Sequence, residues 1–108
     1  MTEYRIVAAP RVDLDVAATY QWYENEQPGL GLEFLDQLRT TYDQVAAGPL
    51  QYQDLRAGVR RALLRRFPYA VYFAVEGDLV IVLAVLHASR DAAEWQRRRG
   101  SRPGGGEE

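Results

Sequence analysis

Apolar and polar positions alternate weakly over Tyr4-Arg5-Ile6-Val7-Ala8 and then meet Pro10, a pattern that predicts a short first strand. Leu14, Ala17, Ala18 and Trp22 recur at helical spacing and predict one apolar face of a first helix ending near Asn25. Asp13 is placed as its N-cap, with Asp15 in the first turn, where negative charge suits the helix dipole. Pro28-Gly29 breaks the chain, and Phe34, Leu35, Leu38, Tyr42 and Val45 carry a second helix to the stop at Gly48-Pro49. The two helices read as a hairpin.

After Asp54 the period changes from helix to strand. Val59 to Arg66 is a candidate strand with Arg61 and Arg65 on one face and Arg60 and Arg66 on the other. Tyr69 to Val75 is a second strand, rich in aromatic and β-branched residues, with Tyr69 and Tyr72 on opposite faces. Gly77-Asp78 fits a two-residue turn of type II′ into Leu79–Leu86, eight apolar residues in a row. Such a run predicts a central strand buried on both faces, in which an Ile81→Asp exchange would abolish folding. Arg90 to Arg99 completes the pattern as a short last helix. The reading is one domain over 1–99 and a flexible Gly-rich tail over 100–108.

Composition narrows the chemistry. At 108 residues, 47% hydrophobic and 11% aromatic, the chain can bury one core, which excludes wholesale disorder. Cysteine is absent, which excludes disulfides, a Cys-ligated zinc and a thiol nucleophile. No apolar run reaches the ~20 residues of a membrane helix, and MTEYRIVAAP lacks a signal-peptide core, so a cytoplasmic protein without membrane attachment is expected. The net charge of −2 hides a split: residues 1–54 sum to −6, residues 55–99 to +5 and the tail to −1. All thirteen basic residues are Arg. An acidic first half and a basic second half predict a face made for an acidic partner.

Without lysine there is no Walker motif, and no Gly-rich nucleotide fingerprint is present. A single histidine, His87, rules out a multi-His metal site, and the scattered acids lack ligand spacing. No metal and no cofactor are expected. The basic segment has two readings: arginine stems packed on aromatics with solvated heads, or an anion-binding surface. His87, at the end of the apolar strand, is either a structural hydrogen-bonding group or a proton shuttle. Trp95 is either a lid on the sheet edge or a stacking platform.

The order strand, helical hairpin, three-stranded meander resembles the RelE/ParE superfamily of toxins from type II toxin–antitoxin pairs. The matching segments are Asp13-Leu14 with Trp22-Tyr23, Pro28-Gly29-Leu30-Gly31 with Phe34 and Leu38, and Gly58-Val59-Arg60-Arg61. Arg66-Phe67-Pro68-Tyr69-Ala70-Val71-Tyr72-Phe73 follows, then Ala84-Val85-Leu86-His87 with Arg90-Asp91 and Trp95. The resemblance spans about Tyr4 to Trp95. It implies an α+β fold, an antiparallel sheet of about four strands with the helical hairpin on one face. It also implies a cognate antitoxin, bound in a hetero-oligomer, that holds the toxin inactive.

RelE-like members of the superfamily cut messenger RNA on the ribosome without metal, whereas ParE-like members are associated with DNA gyrase poisoning. Many RelE-like toxins read Asp-Tyr-Arg where this chain reads Pro68-Tyr69-Ala70, and no Tyr or His follows Trp95. A nuclease site would therefore rest on Arg61, Arg65, His87 and Arg90. The resemblance with these departures favours a ParE-like toxin acting on gyrase. A ribosome-dependent ribonuclease is the alternative, and a non-toxic interaction module a third reading. Residues expected to meet the antitoxin or target are Arg60, Arg61, Arg65, Arg66, Arg90 and Trp95. The antitoxin is expected to lay an acidic, apolar C-terminal segment over Arg60–Arg66.

Overall fold

The computed structural model describes residues 3–100, so the tail expected beyond Gly100 lies outside the described residues. Its elements are β1 (Arg5–Ala8), α1 (Pro10–Glu26), α2 (Leu30–Ala47), a 3-10 turn (Pro49–Gln51), β2 (Gln53–Arg56), β3 (Val59–Leu63), β4 (Tyr69–Glu76), β5 (Leu79–His87) and α3 (Ala92–Gly100). The strands form one sheet in the order β1-β5-β4-β3-β2. The α+β class and the helical hairpin on one face are as expected. The sheet has five strands rather than about four, and β1 joins it parallel to β5, with Arg5 opposite Leu79.

α1 starts earlier than Asp13 because Pro10 occupies its first position, where the missing N–H is no loss. Ala9 is the N-cap and offers no capping side chain, while Asp13 becomes a first-turn acid. The turn into α2 is held by Glu24, whose carboxylate accepts from the N–H groups of Gly29 (2.9 Å) and Gly31 (3.0 Å). One side chain thereby satisfies two of the free donors at the start of α2. The N–H would be there in any residue but proline; what calls for glycine at 31 is space, since a Cβ would stand 2.7 Å from the Tyr20 ring.

The buried face of α1 is not the one the spacing of Leu14, Ala17, Ala18 and Trp22 predicts. Val12, Thr19 and Tyr23 are buried, whereas Leu14 is 71% and Trp22 54% exposed. The aromatic cluster decides the rotation. Tyr23 packs on Phe34 (centroids 5.8 Å), Phe67 (4.9 Å) and Tyr69 (6.0 Å), and turning Leu14 inward would pull Tyr23 out of that cluster. On α2 the periodicity holds, with Phe34, Leu38 and Val45 buried.

β4 and β5 are covered on both sides. Val71, Phe73, Val80, Val82 and Val85 belong to the core under the hairpin. Tyr72, Ala70, Ala74, Leu83, Ala84 and Leu86 form a second core with Trp95 of α3. Tyr69 and Tyr72 do face opposite ways, and both are buried. Ile81 is only half-buried, whereas its neighbours Val80 and Val82 are fully enclosed, so Ile81 is the wrong position at which to probe the strand's core. Gly77 takes a positive φ of 61° at the first position of the β4–β5 turn, as type II′ requires.

The basic strand is shorter than expected. β3 ends at Leu63, and Arg65 and Arg66 lie in the loop before β4, with Arg66 in the left-handed region at φ 71°. β2, which has no counterpart in the sequence reading, pairs with β3 through a turn at Ala57-Gly58, both at positive φ.

Candidate functional site

β1 ends at Ala8, opposite Val82, whereas β5 runs on to His87. A bulge at Leu83, where β5 carries one residue more than β4 between the Phe73 and Tyr72 pairs, re-aims the strand just past that point. The edge left open is finished by side chains. Asp15 Oδ2 accepts from the Val85 N–H (3.0 Å), and Arg98 Nη1 donates to the Leu83 carbonyl (3.4 Å) and to Asp15 Oδ2 (2.6 Å). Arg98 Nη2 adds a bond to Asp15 Oδ1 at 3.0 Å, and Arg98 Nε one to Glu94 at 2.8 Å. This ion pair is almost fully buried, with side chains 7% and 11% exposed, and it ties α1, β5 and α3 together.

Beyond the pair the edge opens into a groove of about 330 Å³. Leu14, Ala18 and Trp22 form its helical wall, Val85 and Leu86 its sheet wall, and Arg90 with Asp91 its end. The two exposed large apolar side chains of α1 are therefore the lining of a concavity. Arg90 closes the groove with a charge that stays 62% exposed. It donates to the Tyr69 hydroxyl (3.1 Å) and lies 3.6 Å from Asp91. The hydrogen bond to Tyr69, then the carboxylate of Asp91, push its already high pKa further up, so it is a permanent cation. An apolar trough that ends in an exposed Arg90, paired with Asp91 but with guanidinium donors to spare, fits a partner segment that is apolar and brings an acceptor.

The site residues expected from sequence do not form one surface. Arg60 turns back on its own chain, donating to the carbonyls of Tyr52 (2.6 Å) and Leu50 (3.3 Å), and so fastens the 3-10 turn to β3. Arg61 projects from the other face of β3, beside Tyr72 of β4. The Tyr72 phenol is buried without an aligned hydrogen bond; burial raises its pKa, and the Arg61 charge offsets part of the rise. Arg65 is exposed in the β3–β4 loop, and Arg66 pairs there with Glu33 of α2 at 3.0 Å. A segment laid over Arg60–Arg66 would thus meet no continuous basic strip.

His87 and Arg90 do come together, at the sheet end where the Ala88 N–H meets the Pro68 carbonyl (2.9 Å). The His87 Nδ1 accepts from the backbone N–H groups of Arg90 (3.0 Å) and Ser89 (3.3 Å), which caps the turn into α3. The structural reading of His87 is the one its hydrogen bonds support. Trp95 is 5% exposed and stacked on Tyr72 at 5.6 Å, which leaves it no surface to offer a partner. Among the described residues, no three His, Asp or Glu groups could hold a metal ion. No described helix is long and apolar enough to cross a membrane.

Residues 6–92 match the family described as ParE toxin of type II toxin-antitoxin system, parDE. The chain belongs to the ParE toxin family. It is the toxin of a type II pair, and membership implies an antitoxin partner. The fold is similar to a solved chromosomal ParDE toxin–antitoxin system from P. aeruginosa, with a TM-score of 0.70 at 19% identity over 79% of this chain and 96% of that one. No curated protein matches the sequence. In this ParE chain the sequence did not single out as site residues Leu14 and Trp22, which line the candidate groove, or Asp15 and Arg98, which support it. A signal for the first two was present: α1 carries two stripes rich in apolar residues, Val12/Val16/Tyr23 with Thr19 among them and Leu14/Ala18/Trp22, and only one can enter the core.

Proposed function

We propose that this ParE toxin acts in the cytoplasm by inhibiting DNA gyrase, and that its antitoxin neutralises it by filling the groove between α1 and the end of β5. The carrying observation is what His87 does. A metal-free ribonuclease needs groups that move protons at the scissile phosphate, each worth ~10²–10⁴-fold in rate. His87, the one histidine, has its Nδ1 taken up by the Ser89 and Arg90 N–H groups. Ala70, at the position where RelE-like toxins often carry arginine, is fully enclosed in the second core and has no room for one. Arg61, Arg65 and Arg90 are spread over a sheet face, a loop and a turn, which supports a binding role for each more than a shared catalytic one.

The test sets a supercoiling reaction with gyrase holoenzyme beside a translating extract with transcript ends mapped. Inhibited supercoiling with intact transcripts is expected. Transcript cleavage that His87→Ala abolishes, with supercoiling untouched, would establish the ribonuclease alternative. The antitoxin groove has its own test in Trp22→Ala, which removes a large half-exposed ring from the groove wall. Aromatic anchors of this kind cost about 2 kcal/mol or more when truncated, so antitoxin affinity measured by calorimetry should fall about 30-fold. An unchanged affinity would move the antitoxin elsewhere.

A further inference from the structure

A second concavity lies on the opposite flank of α1. At about 100° per residue, Leu14, Ala18 and Trp22 follow one side of the helix, and Asp13, Ala17 and Tyr20 the other. Ala17 and Tyr20 form one wall of a trough of about 480 Å³ between the hairpin helices, and Leu35 and Tyr42 the other. Asp13 is its only carboxylate and makes no ion pair among the described residues. The surroundings are acidic as well: the hairpin from Pro10 to Ala47 holds seven Asp and Glu against Arg11 and Arg39. Arg11 is engaged by Glu94. Burial, then the charges of Asp13 and Asp15, push the Tyr42 phenol up to about 12, so it faces the trough as a protonated hydroxyl.

We propose that this trough receives a basic amphipathic helix of the toxin's target, its apolar side chains on Ala17 and Leu35 and a Lys or Arg against Asp13. The partner chemistry follows from the complementarity of an apolar floor, an unpaired carboxylate and an acidic field. A helix suits the shape because the trough runs between two packed helices joined by a three-residue connection. A second copy of the chain fits less well. Its one basic helix, α3, is already docked by Trp95 and by the Arg98–Asp15 pair. That the partner is the target, and not some other protein, rests on the toxin reading above.

Ala17→Trp is the decisive variant, because it fills the trough without altering charge at an exposed helix position. Full-length protein is titrated against a fluorescent Leu/Lys amphipathic peptide of about 18 residues (five turns) and a Leu/Glu peptide of the same pattern. Preference for Leu/Lys is expected, about tenfold weaker binding in Ala17→Trp, and about threefold weaker in Asp13→Asn. Wild-type affinity in Ala17→Trp would reduce the association to bulk charge and overturn the proposal. So would self-association that Ala17→Trp abolishes. Expressed without antitoxin, folded Ala17→Trp should fail to arrest growth where the wild type does; arrest at the wild-type level would remove the target from this trough. If the wild type arrests growth but leaves supercoiling intact, while Ala17→Trp is inert, the gyrase reading falls and the trough stands.

Discussion

Asp15 serves three elements at once. It sits in α1, accepts a backbone hydrogen from β5, and receives a two-toothed contact from Arg98 of α3. Fully satisfied buried ion pairs add little net stability, but removing one partner leaves a charge without compensation, at a cost of about 3–5 kcal/mol. Glu94 remains on Arg98, so the lower end applies here. Asp15→Ala is therefore expected to lose about 3 kcal/mol in urea unfolding, and Arg98→Met added to it should restore part of that loss. A double variant as unstable as the sum of the singles would show the pair to be uncoupled. The sequence contained no hint of the pairing. Asp15 and Arg98 are more than eighty residues apart, and an acid near a helix start already has a sufficient local explanation in the helix dipole.

Among the elements, β5 was the most legible and the face of α1 the least. Eight unbroken apolar residues leave few alternatives, and the strand does lie between β1 and β4 with both faces covered. Its enclosure is uneven, which separates two variants. Val82→Asp buries an unpaired carboxylate at a fully enclosed site and should leave no cooperative thermal melt. Ile81→Asp, at a half-buried site, should keep one with a lowered midpoint. Equal behaviour of the two would contradict the enclosure of Val82. β2 escaped notice because Gln53-Asp54-Leu55-Arg56 has a single apolar residue and its turn uses Ala57 at φ 55°, not the Asn or Gly such turns favour. It exists because β3 offers it an edge, a tertiary reason. The same holds for α1. Two stripes of equal local merit compete, and Phe34, Phe67 and Tyr69, from distant parts of the chain, choose Tyr23 over Trp22.

At the scale of the whole molecule, the charge split in the sequence is met in part inside the protein. Arg66 meets Glu33 and Arg98 meets Asp15, two contacts in which the basic second half binds the acidic first half, while Arg11 to Glu94 runs the other way. What remains outward includes the acidic hairpin, with Asp13 in its trough, and Arg90 at the end of the groove. The parallel pairing of the first strand with the last bears on how the protein is made. Arg5 finds Leu79 only after roughly 70 further residues have been added, about 4–15 s at ordinary rates of synthesis. Even when α2 is complete at Ala47, β5 lies about thirty residues ahead, so β1 has no partner and the groove beside α1 has no sheet wall. Ala8, which lines the trough, is itself paired with Val82 of β5, so a chain cut short by interrupted translation lacks support for the trough as well as a wall of the groove. In a nascent ParE chain both concavities are therefore completed together, by the last strand made.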